Sequence, residues 1–162
     1  MKNKANQTTF LLPVIFALLF IFGCQAPTEI VESPPVIKHY VSENTTKMNL
    51  PFSDAVIVDN MIYLSGQIGN TPGSFKLVEG GIRAEAKQTM ENIKATLAAN
   101  GATMEDIIKC RVFIEDIKEW GIFNEEYVKF FPNKKPARSA LGANGLALGA
   151  KVEVECMACK TR

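Results

Sequence analysis

Lys151-Val152-Glu153-Val154-Glu155-Cys156-Met157-Ala158 alternates apolar and charged side chains through its centre. A period of two belongs to a β-strand, because successive side chains leave the backbone on opposite faces. Val152, Val154 and Cys156 therefore point to a core, and Glu153 and Glu155 point away from it. Upstream, Ala137 to Ala143 reads as another strand, and the glycine-rich segment from Asn144-Gly145 to Gly149 joins the two.

Paired as an antiparallel hairpin centred near Leu146 and Ala147, these strands set Arg138 opposite or nearly opposite Glu155. If the register puts Arg138 against an odd-numbered position, Arg138 and Glu153 become diagonal neighbours, about 7 to 8 Å apart at Cα. The pair admits two readings at this point. One is a structural salt bridge or a solvated charge pair. The other is a site in which the planar donor fork of Arg138 holds a carboxylate while Glu153 handles a water and its protons.

The rest of the domain supplies a β-β-β-α-β-α-β-β order. Val36 to Val41 makes an edge strand, and Ala55 to Leu64 makes two short strands around a turn at Asp59-Asn60. A loop punctuated by Pro72, Gly73, Gly80 and Gly81 follows Ser65-Gly66-Gln67. Ile82, Ala86, Met90, Ile93 and Leu97 recur at three or four residues and predict a helix over Ile82 to Ala99, closed by Asn100-Gly101. Ile107 to Glu115 alternates, with Ile108, Cys110, Val112 and Ile114 on one apolar face. A second helix near Gly121 to Phe131 carries Phe123, Tyr127 and Phe130 as a core stripe and stops before Pro132. Two helices cover one face of such a sheet, and the other face is solvated or closed by a partner.

Eighteen basic and seventeen acidic residues in 162 give a net charge of +1, which provides no surplus for a phosphate backbone. Nucleic acid is excluded as a partner on this ground. The N-terminus reads differently from the rest. Lys2 and Lys4 precede an apolar run from Phe10 to Phe22 that contains Pro13, is too short to span a bilayer, and ends in Gly23-Cys24. Residues 1–24 thus read as a lipoprotein-type signal peptide with Cys24 as the lipidated residue. Residues 25–35, with three prolines, read as a tether, and 36–162 as the folded domain. The expectation is an exported protein, lipid-anchored to a bacterial membrane, or a cytoplasmic one if the leader is not processed.

Cys110, Cys156 and Cys159 remain, an odd number that argues against a complete disulfide framework. Cys156-Met157-Ala158-Cys159 matches C-x-x-C, but residues three apart on a strand point to opposite faces, so a buried Cys156 is expected rather than a redox or metal pair. His39, the single histidine, sits on the first strand far from the other polar motifs, and is read as an edge-strand residue. With no histidine base in a suitable motif, Ser65 is not expected to be a nucleophile.

Ser65-Gly66-Gln67, Asn124 with Tyr127, Pro136-Ala137-Arg138-Ser139 and Val152-Glu153-Val154-Glu155 are, in this order and spacing, similar to the RidA/YjgF group of imine/enamine deaminases. The resemblance covers about Val36 to Arg162. It implies a chorismate-mutase-like α/β (α+β) fold, with a mixed β-sheet, two helices on one face, and a homotrimer whose three sites lie between subunits. It further implies that Arg138 grips a substrate carboxylate and that Glu153 positions the hydrolytic water. Ser65, Gly66 and Asn124 would line the same cleft, and no cofactor or metal would be needed.

Two positions depart from the family pattern. Phe52 stands where many members have a tyrosine that contacts substrate, so one hydroxyl donor is missing. Ala140 stands where cysteine is frequent, but there the backbone N–H matters and alanine keeps it. The activity implied is hydrolysis of 2-imino acids such as 2-iminopropanoate and 2-iminobutanoate, or their enamine tautomers, to 2-oxo acids and ammonia, which removes reactive intermediates. The alternative is a non-catalytic trimer that binds small carboxylates or acts as a chaperone.

Overall fold

The computed structural model describes residues 33–160; the expected leader, Cys24 and most of the expected tether lie outside the described residues. The strands are β1 (Ile37–Tyr40), β2 (Ala55–Val58), β3 (Met61–Leu64), β4 (Gln67–Ile68), β5 (Ile107–Ile114), β6 (Ala137–Gly142) and β7 (Val152–Cys159). The α-helices are α1 (Glu43–Lys47), α2 (Gly81–Ala99) and α3 (Trp120–Tyr127). Across the sheet the strand order is β1-β2-β3-β7-β5-β6, with β4 also paired to β7.

The long alternating strand is central. β7 lies antiparallel to β5 on one side and to β3 and β4 on the other. Val152, Val154, Cys156 and Ala158 are buried, as their parity requires. Against them pack Ile82, Ala86, Met90, Ile93 and Leu97 of α2 and Phe123 and Tyr127 of α3. Each large aliphatic or aromatic side chain so buried contributes about 1.5–3 kcal/mol, and this stripe secures α2, whose first residue Gly81 and N-cap Gly80 both have positive φ. Phe130 packs only at the margin of the core, and the adjacent Phe131 fills the buried position instead.

The expected hairpin of the last two strands does not form. β6 runs parallel to β5, with α3 as the crossover, and β5 separates β6 from β7. The segment after β6 is accordingly a connection that passes the end of β5 and contains a short 3-10 turn with Leu148 at φ 59°. Glycine-rich composition indicated a turn there; it carried no information on which strand the chain would join next.

Two irregularities shift faces. Between Ile107 and Lys109 the register against β7 gains one residue, and this bulge turns Ile108 out to solvent and puts Ile107 in the core, against the simple alternation. The second separates β3 from β4. Tyr63 pairs with Met157 and Gln67 with Val154, so one extra residue is accommodated at Ser65-Gly66.

Cys110 and Cys156 are direct cross-strand partners on the buried face and are joined as a disulfide. The expectation of an unbonded Cys156 is corrected here: the parity that separates it from Cys159 puts it beside Cys110. Cys159 is free and partly exposed. His39 lies on edge strand β1, exposed, as its position implied.

Candidate active site

The polar residues singled out in the sequence fall into two groups. The first surrounds a cavity of about 700 Å³ lined by Phe52, Ser65, Gly66 and Glu153, with apolar walls that include Met48, Leu50 and Phe75. The bulge after β3 presents Ser65 to it. The Ser65 N–H donates to Asp54 O at 3.0 Å and its hydroxyl donates to Ser53 O at 2.7 Å. Because a carbonyl can only accept, the Ser65 Oγ lone pairs remain as acceptors toward the cavity. Asp54 is itself fixed, accepting from Ser42 N and from the Thr45 hydroxyl at 2.7 Å each, which ties α1 to the cavity rim.

Glu153 occupies the space that Gly66 leaves open beside the cavity. A Cβ added to Gly66 would overlap the Glu153 carboxylate, so glycine is the residue that lets this side chain lie against the β3–β4 bulge. Burial pushes the Glu153 carboxyl above its ordinary range, and the negative charge of Glu155 adds to the shift. No hydrogen bond or cation offsets it among the described residues. Glu155 is paired with Arg111 at 2.6 Å.

The second group lies on the other side of the sheet. Arg138 is half-buried beneath α3, its guanidinium carbon 4.7 Å from the Tyr127 ring centroid, 5.7 Å from Phe123 and 5.8 Å from Trp120. Asn124 Oδ1 and Tyr127 Oη are buried there without a hydrogen-bond partner among the described residues. Desolvation pushes the Tyr127 hydroxyl up to about 12, offset in part by the Arg138 charge. Ala140 is on the same face of β6, packed against the core, and β6 is a sheet edge whose outer backbone groups lack a strand partner among the described residues.

Arg138 and Glu153 are therefore not diagonal neighbours within one chain. Arg138 follows its β5 partner Cys110 to the helix face, whereas Glu153 follows Phe113 to the opposite face. Two strand spacings and a three-residue offset along the strands put their Cα atoms about 14 Å apart. The pairing failed because it depended on the hairpin. Tyr127 is read from the sequence as a core aromatic and, with Asn124, as part of the family motif, and Trp120 is not singled out; the i, i+3, i+7 spacing of Trp120, Phe123 and Tyr127 before an isolated arginine is the available signal.

A model of the family described as endoribonuclease L-PSP matches residues 43–160. The human 2-iminobutanoate/2-iminopropanoate deaminase is 41% identical over 108 residues, covering 67% of this chain and 79% of the human protein. Protein HMF1 of Saccharomyces cerevisiae is 38% identical over 120 residues, covering 74% of this chain and 92% of the yeast protein. The crystal structure of the YjgF gene product of E. coli superposes with a TM-score of 0.70 at 32% identity, covering 76% of this chain and 98% of the other. Fold and sequence together define a mixed α/β protein of this class, and the chain belongs to the RidA/YjgF family.

These comparisons also correct the expectation of an exported, lipid-anchored protein. The match is to the folded domain, and the relatives named here are a deaminase and related proteins, none named as a lipoprotein. No helix among the described residues is long and apolar enough to cross a membrane.

Proposed function

We propose that this chain is an imine/enamine deaminase that converts 2-imino acids of the 2-iminopropanoate and 2-iminobutanoate type to 2-oxo acids and ammonia, at sites completed between subunits of a homotrimer. The observation that carries the reading is the pair of complementary, unspent groups on opposite faces of one sheet. Among the described residues Arg138 is a cation without an acidic partner, and Glu153 is a carboxylate without a donor, beside a cavity that includes Ser65. A second copy brings the Arg138 group of one subunit to the Glu153 cavity of another. Tyr63, Phe113, Leu141 and Met157, which line the sheet face away from the helices, give that face an apolar character suited to self-association.

In this site Arg138 holds the substrate carboxylate through its donor fork. Ser65 Oγ accepts from the iminium N–H, and Asn124 and the Ala140 backbone N–H complete the carboxylate and oxygen contacts. Water adds to the iminium carbon as Glu153 takes one of its protons, an exchange favoured by the raised basicity of that carboxylate. Glu153 then returns the proton to nitrogen. The C–N bond breaks with its electron pair leaving as ammonia, the carbonyl forms, and the hydroxyl proton leaves with the ammonia as ammonium. An enamine gains a proton at carbon before the water adds.

The human relative is named for the same two substrates, which supports the assignment. The endoribonuclease description of the family is not carried over, since a net charge of +1 and a single histidine on the far edge strand supply neither a phosphate-binding surface nor a pair of acid–base groups for RNA cleavage. Phe52, which offers no hydroxyl, favours a second reading in which the pocket binds small carboxylates without turning them over.

The test generates 2-iminopropanoate and 2-iminobutanoate in situ with an amino-acid oxidase or a dehydratase and follows their loss. Acceleration by the wild-type protein that Arg138→Ala abolishes is the expected result. Equal rates with and without the protein, together with binding of 2-oxobutanoate, would establish the second reading instead.

A further inference from the structure

We propose that Trp120, Phe123 and Tyr127 form an aromatic platform that fixes the Arg138 guanidinium for anion binding, with Tyr127 as its principal positioning residue. The proposal rests on the reading of Arg138 as the group that binds the substrate carboxylate. The three rings come from one stripe of α3 and surround the guanidinium carbon at 4.7, 5.7 and 5.8 Å, all within the roughly 6 Å over which a ring quadrupole attracts a cation.

The reason for using rings lies in what a carboxylate would do in their place. Two other arginines of this chain are steadied by carboxylates, Arg111 by Glu155 and Arg83 by Glu125 and Glu126. Such a partner occupies the donor fork and cancels the charge that a substrate carboxylate must meet. An aromatic face attracts the cation without taking its N–H donors or neutralising it. Among the described residues Arg138 is held in this way alone, and its donors stay available.

Tyr127 is closest and is only 5% exposed. Its hydroxyl has no hydrogen-bond partner among the described residues, and burial keeps it a neutral phenol. The role proposed for Tyr127 runs through its ring, which lies 4.7 Å from the Arg138 guanidinium carbon. Trp120, 45% exposed, closes the solvent side of the platform.

The experiment compares Tyr127→Leu, Tyr127→Phe and Trp120→Leu in the full chain, with 2-iminobutanoate turnover and with 2-oxobutanoate binding measured by calorimetry. Removing the Tyr127 ring is expected to raise KM and the 2-oxobutanoate Kd by about tenfold with a smaller change in kcat, and Tyr127→Phe is expected to bring both back to within about threefold of wild type. Trp120→Leu, at an exposed position that does not hold the core, is expected to raise both about threefold and decides the matter if Tyr127→Leu fails to fold. Folded Tyr127→Leu or Trp120→Leu protein with wild-type KM and Kd would overturn the platform. Wild-type protein that binds 2-oxobutanoate through the platform but turns nothing over would leave the platform standing and remove the deaminase reading, whereas absence of both binding and turnover would remove the two together.

Discussion

The Glu153 carboxylate lies directly over Gly66, in the space that any larger residue's Cβ would take. Gly66 is not in the positive-φ region, so its role is spatial rather than conformational. Gly66→Ala is expected to fold with little loss of stability, because the group in the way is the far end of a flexible side chain. The same change displaces the carboxylate by about 1 Å or more, and kcat is expected to fall about 100-fold. Near-wild-type kcat in a folded Gly66→Ala protein would show that this placement of Glu153 does not matter.

Gly69 gives the contrasting case four residues from Ser65. A Cβ there would meet the Glu85 backbone in α2 at 2.6 Å, and backbone cannot step aside. Gly69→Ala is expected to destabilise by about 1–3 kcal/mol through overpacking, seen as a lower midpoint in urea. An unchanged midpoint would contradict the close approach of the helix.

Burial holds the Glu153 carboxyl above its ordinary range, which fixes the sign of its effect on stability. A carboxyl whose folded pKa is raised favours the folded state at pH below the ordinary carboxylate value, and that contribution is lost as pH rises through the raised folded value. Glu153→Gln is therefore expected to melt higher than wild type at pH 7, by about 2 °C or more, and to lose this advantage near pH 4. Thermal melts at the two pH values provide the check, and an advantage that grew toward acid would reverse the assignment.

The separation of Arg138 from Glu153 makes complementation a direct test of the proposed intersubunit site. Arg138→Ala and Glu153→Gln are each expected to be inactive alone. Refolded together in equal amounts, they assemble sites that draw arginine from one variant and glutamate from the other in about a quarter of cases by random pairing in a closed ring. Recovery of about that share of wild-type activity is expected. A mixture as inactive as its components would place both groups in one subunit's site or remove one of them from catalysis.

The Cys110–Cys156 disulfide closes a loop of 46 residues on the buried face of adjacent strands. Peptide mapping without reductant is expected to recover these two cysteines crosslinked, with Cys159 as a free thiol. Replacing both by alanine is expected to cost about 2–4 kcal/mol by restoring freedom to the unfolded chain. Separate, unlinked peptides would show that the two thiols only pack together.

The elements were legible because each one writes its own period. The Ile82-to-Leu97 stripe, the Val152-to-Cys156 alternation and the Asp59-Asn60 turn all correspond to the helix, strand and hairpin observed. Pairing was not legible, since nothing in Ala137 to Gly142 records that β5 lies between β6 and β7. Local patterns also hide single-residue insertions, so the Ile108 bulge inverted two residues of an otherwise correct strand, and the five-residue α1 was too short to show a stripe. The candidate residues were found by type and motif, but their division between two faces follows from strand order alone. Tyr127 shows the remaining difficulty: a buried aromatic that packs a core and one that seats a cation have the same spacing.

Strand β5 acts as a wall between Arg138 and Glu153, and in the deaminase reading this makes catalytic competence a property of assembly. A newly folded chain would carry every group the reaction needs and still be unable to use them. Activity would then rise more steeply than protein concentration at high dilution, and substitutions on the outer sheet face, such as at Tyr63 or Leu141, could silence the chemistry without touching a reacting group.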